Sequence, residues 1–192
     1  LADFSVQFPQ IQFELKISNL LDDAINEKID FCVRIGDLNN SRLTAVKLGS
    51  ANFLCCASPQ YITRNGMPSS LVDAIKTHQF LIPSYINVTE KLNRTFSIQT
   101  PFTWNKAHTM NSEIAIYNAV LQGMGLSVLL DISIMDKLEK GELISLFPSH
   151  HFPEQAINLV FNKRDFMPKK MMVFKQFILE NFKPNISKTV TR

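Results

Sequence analysis

Glycine is scarce in this chain, with six among 192 residues, and none builds a phosphate-cradling loop; Gly123 and Gly125 form only an isolated Gly-Met-Gly. A Gly-x-Ser-x-Gly elbow and a His-Glu-x-x-His pair are also missing, which removes the usual sequence grounds for serine hydrolysis and zinc catalysis. Cysteine is limited to Cys32, Cys55 and Cys56, an odd number without framework spacing, so reduced thiols are expected. Cys55 and Cys56 are neighbours, and neighbouring strand residues point to opposite faces, which argues against a bridge and for two small buried side chains. No charge of one sign dominates: the net charge is +3, too little to imply nucleic-acid binding by itself. No apolar run approaches the roughly 18 residues of a membrane span. The opening "LADFSVQFPQ" has neither a basic start nor a long apolar stretch, so no secretory signal is expected, and without an initiator Met the chain reads as a fragment.

What is present is an ample supply of core residues, 45% apolar, in a pattern that alternates between strand and helix. "LADFSVQFPQ" reads as a helix stopped at Pro9. "IQFELKIS" alternates Ile11, Phe13, Leu15 and Ile17 against Gln12, Glu14, Lys16 and Ser18, which predicts a strand. Asn19 is positioned to cap a short helix carrying Leu21, Ala24 and Ile25. "DFCVRIG" reads as a strand buried on both faces, as in a parallel sheet. "LTAVKLG" and "NFLCCAS" are extended, and "SPQYITRNG" and "SLVDAIKT" are short helices. "QFLIP" is a strand, and "TFSIQ" and "FTWNKA" are further strand candidates. Asn111 or Ser112 caps a helix over "EIAIYNAVLQ" that ends at Gly123. "GLSVLLD", "ELISLF" and "INLVFN" are strands and "ISIMDKLEKG" a helix. Pro168 opens a last helix with Met171, Phe174, Ile178 and Phe182 at helical spacing, before a polar tail. The order implies an α/β protein with mixed, mostly parallel sheets.

Open α/β sheets bind ligands beyond the carboxyl ends of their strands. Ser18-Asn19, Arg34-Ile35-Gly36 and Ser84 fall at such ends, and Asn111-Ser112 at a helix start whose amides can hold an anion. Arg34 is notable because a guanidinium gains nothing from a closed apolar core. A salt bridge to Asp30, to Asp37 or to a partner in another lobe is an equal alternative to ligand contact. Together Ser18, Asn19, Arg34, Gly36, Ser84, Asn111 and Ser112 are the candidate binding residues, a set of donors suited to a small anion. His150 and His151 read as a solvated loop, His78 and His108 as structural, and Trp104 as a core or rim residue. The Asp22-Asp23 pair reads as a solvated helix face. No catalytic, metal or cofactor set is expected.

These stretches resemble the effector-binding domain of LysR-type transcriptional regulators. The family's "YP", its strand ending in "S-D", its "DLAIRIG.L.DSSL.A..L" and its "LCASP.YL...G.P..P.DL..H.CL" correspond to Phe8-Pro9, Ser18-Asn19, Asp30 to Leu38 with Asn40 to Leu48, and Leu54 to Leu81. The later "N(D/S)...A...G.GI.LLP...V...L..G.L...L" corresponds to Asn111-Ser112, Ala119, Gly123, Gly125 to Leu130, Leu138, Gly141 to Leu143 and Leu146. Leu130 replaces the family's proline, and Arg94-Thr95-Phe96 stands where the family has "W.F".

The resemblance implies a two-lobed fold like the type-2 periplasmic binding proteins, with residues 1–57 and 160–192 in one lobe and 58–159 in the other. "CCASP" and "INLVFN" would be the two crossover strands, and a cleft would take a small effector. It also implies a strand and a winged helix-turn-helix domain before Leu1, absent from this chain, through which alone DNA would be bound. The expected function is effector sensing in a transcription regulator without catalysis; the alternative is a free-standing solute-binding protein of the same fold. Cytoplasmic location, no membrane contact and no cofactor are expected. A homodimer or tetramer is also expected. In the family, pairing sets the segment before Pro9 with "IQFELKI" against "EIAIYNAVLQ", here with Phe4, Phe8, Ile114, Ile116 and Tyr117 as apolar surface.

Overall fold

The computed structural model of the chain describes residues 1–18, 29–36, 38, 43–88, 90, 104, 106–148, 152–162 and 166–182. In chain order the described elements begin α1 (Ala2–Gln7), β1 (Cys32–Ile35), β2 (Leu43–Ala51), β3 (Phe53–Ala57), α2 (Pro59–Asn65), α3 (Leu71–Thr77) and β4 (Gln79–Pro83). They continue β5 (Lys106–Met110), α4 (Glu113–Leu121), β6 (Ser127–Leu130), α5 (Asp131–Glu139), β7 (Ile144–Leu146), β8 (Gln155–Asn162) and α6 (Lys169–Asn181). The chain divides into two compact units, Leu1–Ser50 with Gln155–Ile186, and Ala51–Glu154.

In the first unit β8 lies between β1 and β2 and supplies the buried run Ile157, Leu159, Val160 and Phe161. Its core is aromatic. The Phe4 ring is fully buried, 5.0 Å from Phe8 and Phe174 and 5.2 Å from Phe177. Phe31 joins Phe161 at 5.6 Å and Phe174 at 5.3 Å, and the Lys175 ammonium sits 5.0 Å over Phe161. Clustered rings of this kind add edge-to-face attraction to their apolar burial.

Two expectations fail here. Residues 11–18 are not a strand, and Phe13, Leu15 and Ile17 are 47%, 64% and 77% exposed. Alternation marks a face, but a strand exists only where a neighbour accepts its backbone bonds, and none does so among the described residues. Strand β1 is not buried on both faces either: Val33 is 51% and Ile35 43% exposed. It pairs antiparallel with β8 and is an edge of its sheet among the described residues, so only one side is covered.

In the second unit β3 lies between β6 and β7, antiparallel to both, while β4 and β5 run parallel. Leu126, just before β6, bridges Phe80 of β4 in parallel and so joins the two sheets. The sheets are mixed, as expected. The antiparallel share is larger than the strand–helix alternation suggested, because β3 and β8 run against every neighbour whose register is described. On one face Cys55, Ala57, Phe80 and Leu126 pack with Tyr61, Leu71, Ala74 and Ile75 of α2 and α3. On the other, Cys56, Leu81 and Leu129 pack with Ile116, Val120 and Ile134 of α4 and α5. The unit is thus a helix–sheet–helix sandwich, and the adjacent cysteines serve one core each. Gly125 is required by a close approach: a Cβ there would lie 2.6 Å from the Gln79 carbonyl oxygen of β4.

Ser58, Ser70 and Ser112 cap α2, α3 and α4 through their hydroxyls. Buried His78 is structural: its Nδ1 lies 3.3 Å from the Tyr61 hydroxyl, which accepts from the Gln79 N–H at 3.0 Å. Trp104 packs as a rim residue against Phe80, the ring centroids 4.8 Å apart and the planes tilted by 53°. The expected Asn19 helix, "TFSIQ", His150, His151, Asp22-Asp23 and the polar tail lie outside the described residues.

Candidate functional site

The parallel pair β4 and β5 stays in register from Gln79↔Lys106 to Pro83↔Met110, so both strands finish at one level. The Ser84 N–H donates to the Met110 carbonyl at 2.8 Å and ties the two strand ends together. Asn111 and Ser112 follow at once, and the Ser112 Oγ accepts from the Ala115 N–H at 3.4 Å to start α4. The structure therefore brings Ser84, Asn111 and Ser112 to one place, at adjacent parallel strand ends beside a helix start. The amides of Glu113 and Ile114 have no protein acceptor among the described residues. Open amides aligned with the positive end of a helix favour an anionic group.

Two further residues belong to this group and were not among the candidates: Glu113, the first residue of α4, and Tyr85, which follows Ser84. Both are half-buried. Burial raises the Glu113 carboxyl from its ordinary value. Burial, and then the charge of Glu113, push the Tyr85 phenol up. The donor-only set drawn from the sequence thus gains an acid. The signal for it was the acid directly behind a capping serine, which reads equally well as a simple complement to the helix dipole.

In the first unit, Arg34 is half-buried on β1 opposite Asn158 of β8. Gly36 ends that strand at φ +97°, a conformation L side chains rarely adopt, and its N–H donates to the Ala156 carbonyl at 2.9 Å. Ser18 is exposed, and Asn19 lies outside the described residues. Among the described residues no group of three or more His, Cys, Asp or Glu is arranged to hold a metal ion, and no helix is long and apolar enough to cross a membrane.

The chain is thus two α/β units, and in the second the ends of two parallel strands meet a helix start, the architecture of a small-molecule binding domain. The family described as LysR substrate binding domain matches residues 1–183, and the chain belongs to it. It is 27% identical over 193 residues to the HTH-type transcriptional regulator PtxR of Pseudomonas aeruginosa, covering 94% of this chain and 58% of that protein. It is 31% identical over 186 residues to an HTH-type transcriptional regulator of Xanthomonas campestris, covering 93% of this chain and 53% of that protein. The regulatory domain of CrgA, a LysR-type regulator from Neisseria meningitidis, superimposes with a TM-score of 0.80 at 27% identity, covering 93% of this chain and 88% of that one. The chain spans less than two thirds of the length of these curated relatives.

Proposed function

We propose that this chain is the sensing part of a longer transcription regulator. It binds a small anionic metabolite and passes the resulting bias to a DNA-binding domain elsewhere in the polypeptide. The observation that carries this reading is the meeting of Ser84, Asn111, Ser112 and the open amides of α4 at the ends of two parallel strands, in a chain of this family. Ser18, Asn19, Arg34 and Gly36 are proposed as effector-binding residues of the first unit. The effector acts only through its different affinity for two arrangements of the protein, so no chemical step is required and the role is not enzymatic. Relatives named as regulators favour this over a free-standing solute binder, and a cytoplasmic location follows from the same role.

The active assembly is a homodimer or a tetramer made of two such dimers. Exposed Val6, Leu15 and Ile17 on the first unit and Ile114 on the second supply apolar surface for it. Phe4 and Ile116, expected from the sequence to contribute, are buried inside their own units and do not. Isothermal titration of the chain with a panel of small carboxylates tests the effector reading. Saturable binding of one member that Ser112→Ala or Arg34→Ala weakens supports it; uniform absence of binding across the panel counts against it.

A further inference from the structure

The first turn of α4 reverses the usual placement of residue types. Glu113 is half-buried, while the next residue, Ile114, is 60% exposed. Helical side chains lean toward the N-terminus, so the Glu113 carboxyl leans over the same end at which the Glu113 and Ile114 amides open. That carboxyl has no hydrogen-bond or ion-pair partner among the described residues. A half-buried acid without a donor is costly, and burial disfavours its ionised form. Natural sequences break local rules of this kind mainly at functional sites.

We infer that Glu113 selects effectors that carry a hydrogen-bond donor beside their carboxylate, such as an amino acid or a hydroxy acid, over simple carboxylic acids. The inference rests on the reading of the β4–β5 ends as the effector site. A ligand carboxylate takes the open amides at the start of α4, and its neighbouring ammonium or hydroxyl donates to Glu113. A bare carboxylate meets the amides but faces the Glu113 charge unrelieved. An ionised Glu113 is thus an acceptor that only the donor-bearing ligand satisfies, and hydrogen bonds to charged groups are the stronger ones.

The test uses the 192-residue chain, amide-labelled for nuclear magnetic resonance. Each of several small carboxylic acids is titrated beside its own amino and hydroxy derivatives, starting with propionate, alanine and lactate. The expected result is movement of the Ser84, Ser112 and Ile114 amides, with a donor-bearing member at least about tenfold tighter than its parent acid. Glu113→Gln, with α4 retained by circular dichroism, should reduce that preference to about twofold or less while leaving the parent acid's affinity equal or better. Acids that move these amides without preference, or a preference that survives Glu113→Gln, would overturn the inference and leave the site standing. Titrations in which none of these amides moves would overturn the site reading and the inference with it.

Discussion

Arg34 and Gly125 show how differently single positions act. Arg34→Ala is expected to weaken effector binding by roughly 1.5–3 kcal/mol, the scale of a charged hydrogen bond, with the thermal midpoint nearly unchanged. Calorimetric titration beside a melting curve checks both halves. Gly125→Ala should act only on stability. Its new Cβ meets backbone, the Gln79 carbonyl, at 2.6 Å, and overpacking of this kind costs about 1–3 kcal/mol. A urea midpoint that falls with an unchanged slope is the expected signature. The thiols give a pH dependence. Burial pushes Cys56 up to about 12, and Cys55 is raised well above its usual value by burial first and by Cys56 second. The folded state therefore favours the neutral thiols. Their contribution is intact below the unfolded thiol value, about 8.5, and is lost as pH rises toward the folded values. The urea midpoint should be level between about pH 7 and 8 and decline above about pH 9, and replacing both cysteines with Ala should flatten that decline.

At the scale of elements, much of the fold was readable because its boundaries carry their own chemistry. Ser58-Pro59 opens α2, Ser112 opens α4 and Pro168 precedes α6, each satisfying or sparing backbone donors at a helix start. Ser112→Ala should cost about 1 kcal/mol of stability, and increased amide exchange confined to the first turn of α4 would report it. The alternating run at residues 11–18 was misread for a physical reason: a strand is a property of two chains of backbone, and one chain's alternation cannot supply the second. For the same reason the antiparallel pairing of β3 was invisible, since direction is fixed by distant partners. The candidate site was legible where topology decides, at Ser84, Asn111 and Ser112. Glu113 and Tyr85 were missed because their burial and proximity to this group come only with packing.

For the molecule as a whole, the exposed Phe13, Leu15 and Ile17 contrast with the buried aromatic core of the same unit. Replacing those three with Ser should shift the stability of the isolated chain by less than about 0.5 kcal/mol per site, while Phe4→Ala costs about 3–5 kcal/mol. Chemical denaturation distinguishes these directly. Light scattering should give twice the chain mass at high concentration, and the triple Ser variant should reduce it toward the single chain. With a net charge of only +3, this chain should show no sequence-specific shift of duplex DNA in a gel.

The back-to-back cysteines of β3 have a use that does not depend on their reactivity. Each sulfhydryl is sealed in a different layer of one sandwich, Cys55 beneath α2 and α3, Cys56 beneath α4 and α5. The stretching band of a sealed S–H group responds to the polarity and closeness of its immediate surroundings. Infrared spectra of Cys55→Ala and Cys56→Ala would assign the two bands. The protein then holds two internal vibrational reporters, one per layer, with no label attached. An effector that settles at the start of α4 should move the Cys56 band and leave that of Cys55 in place.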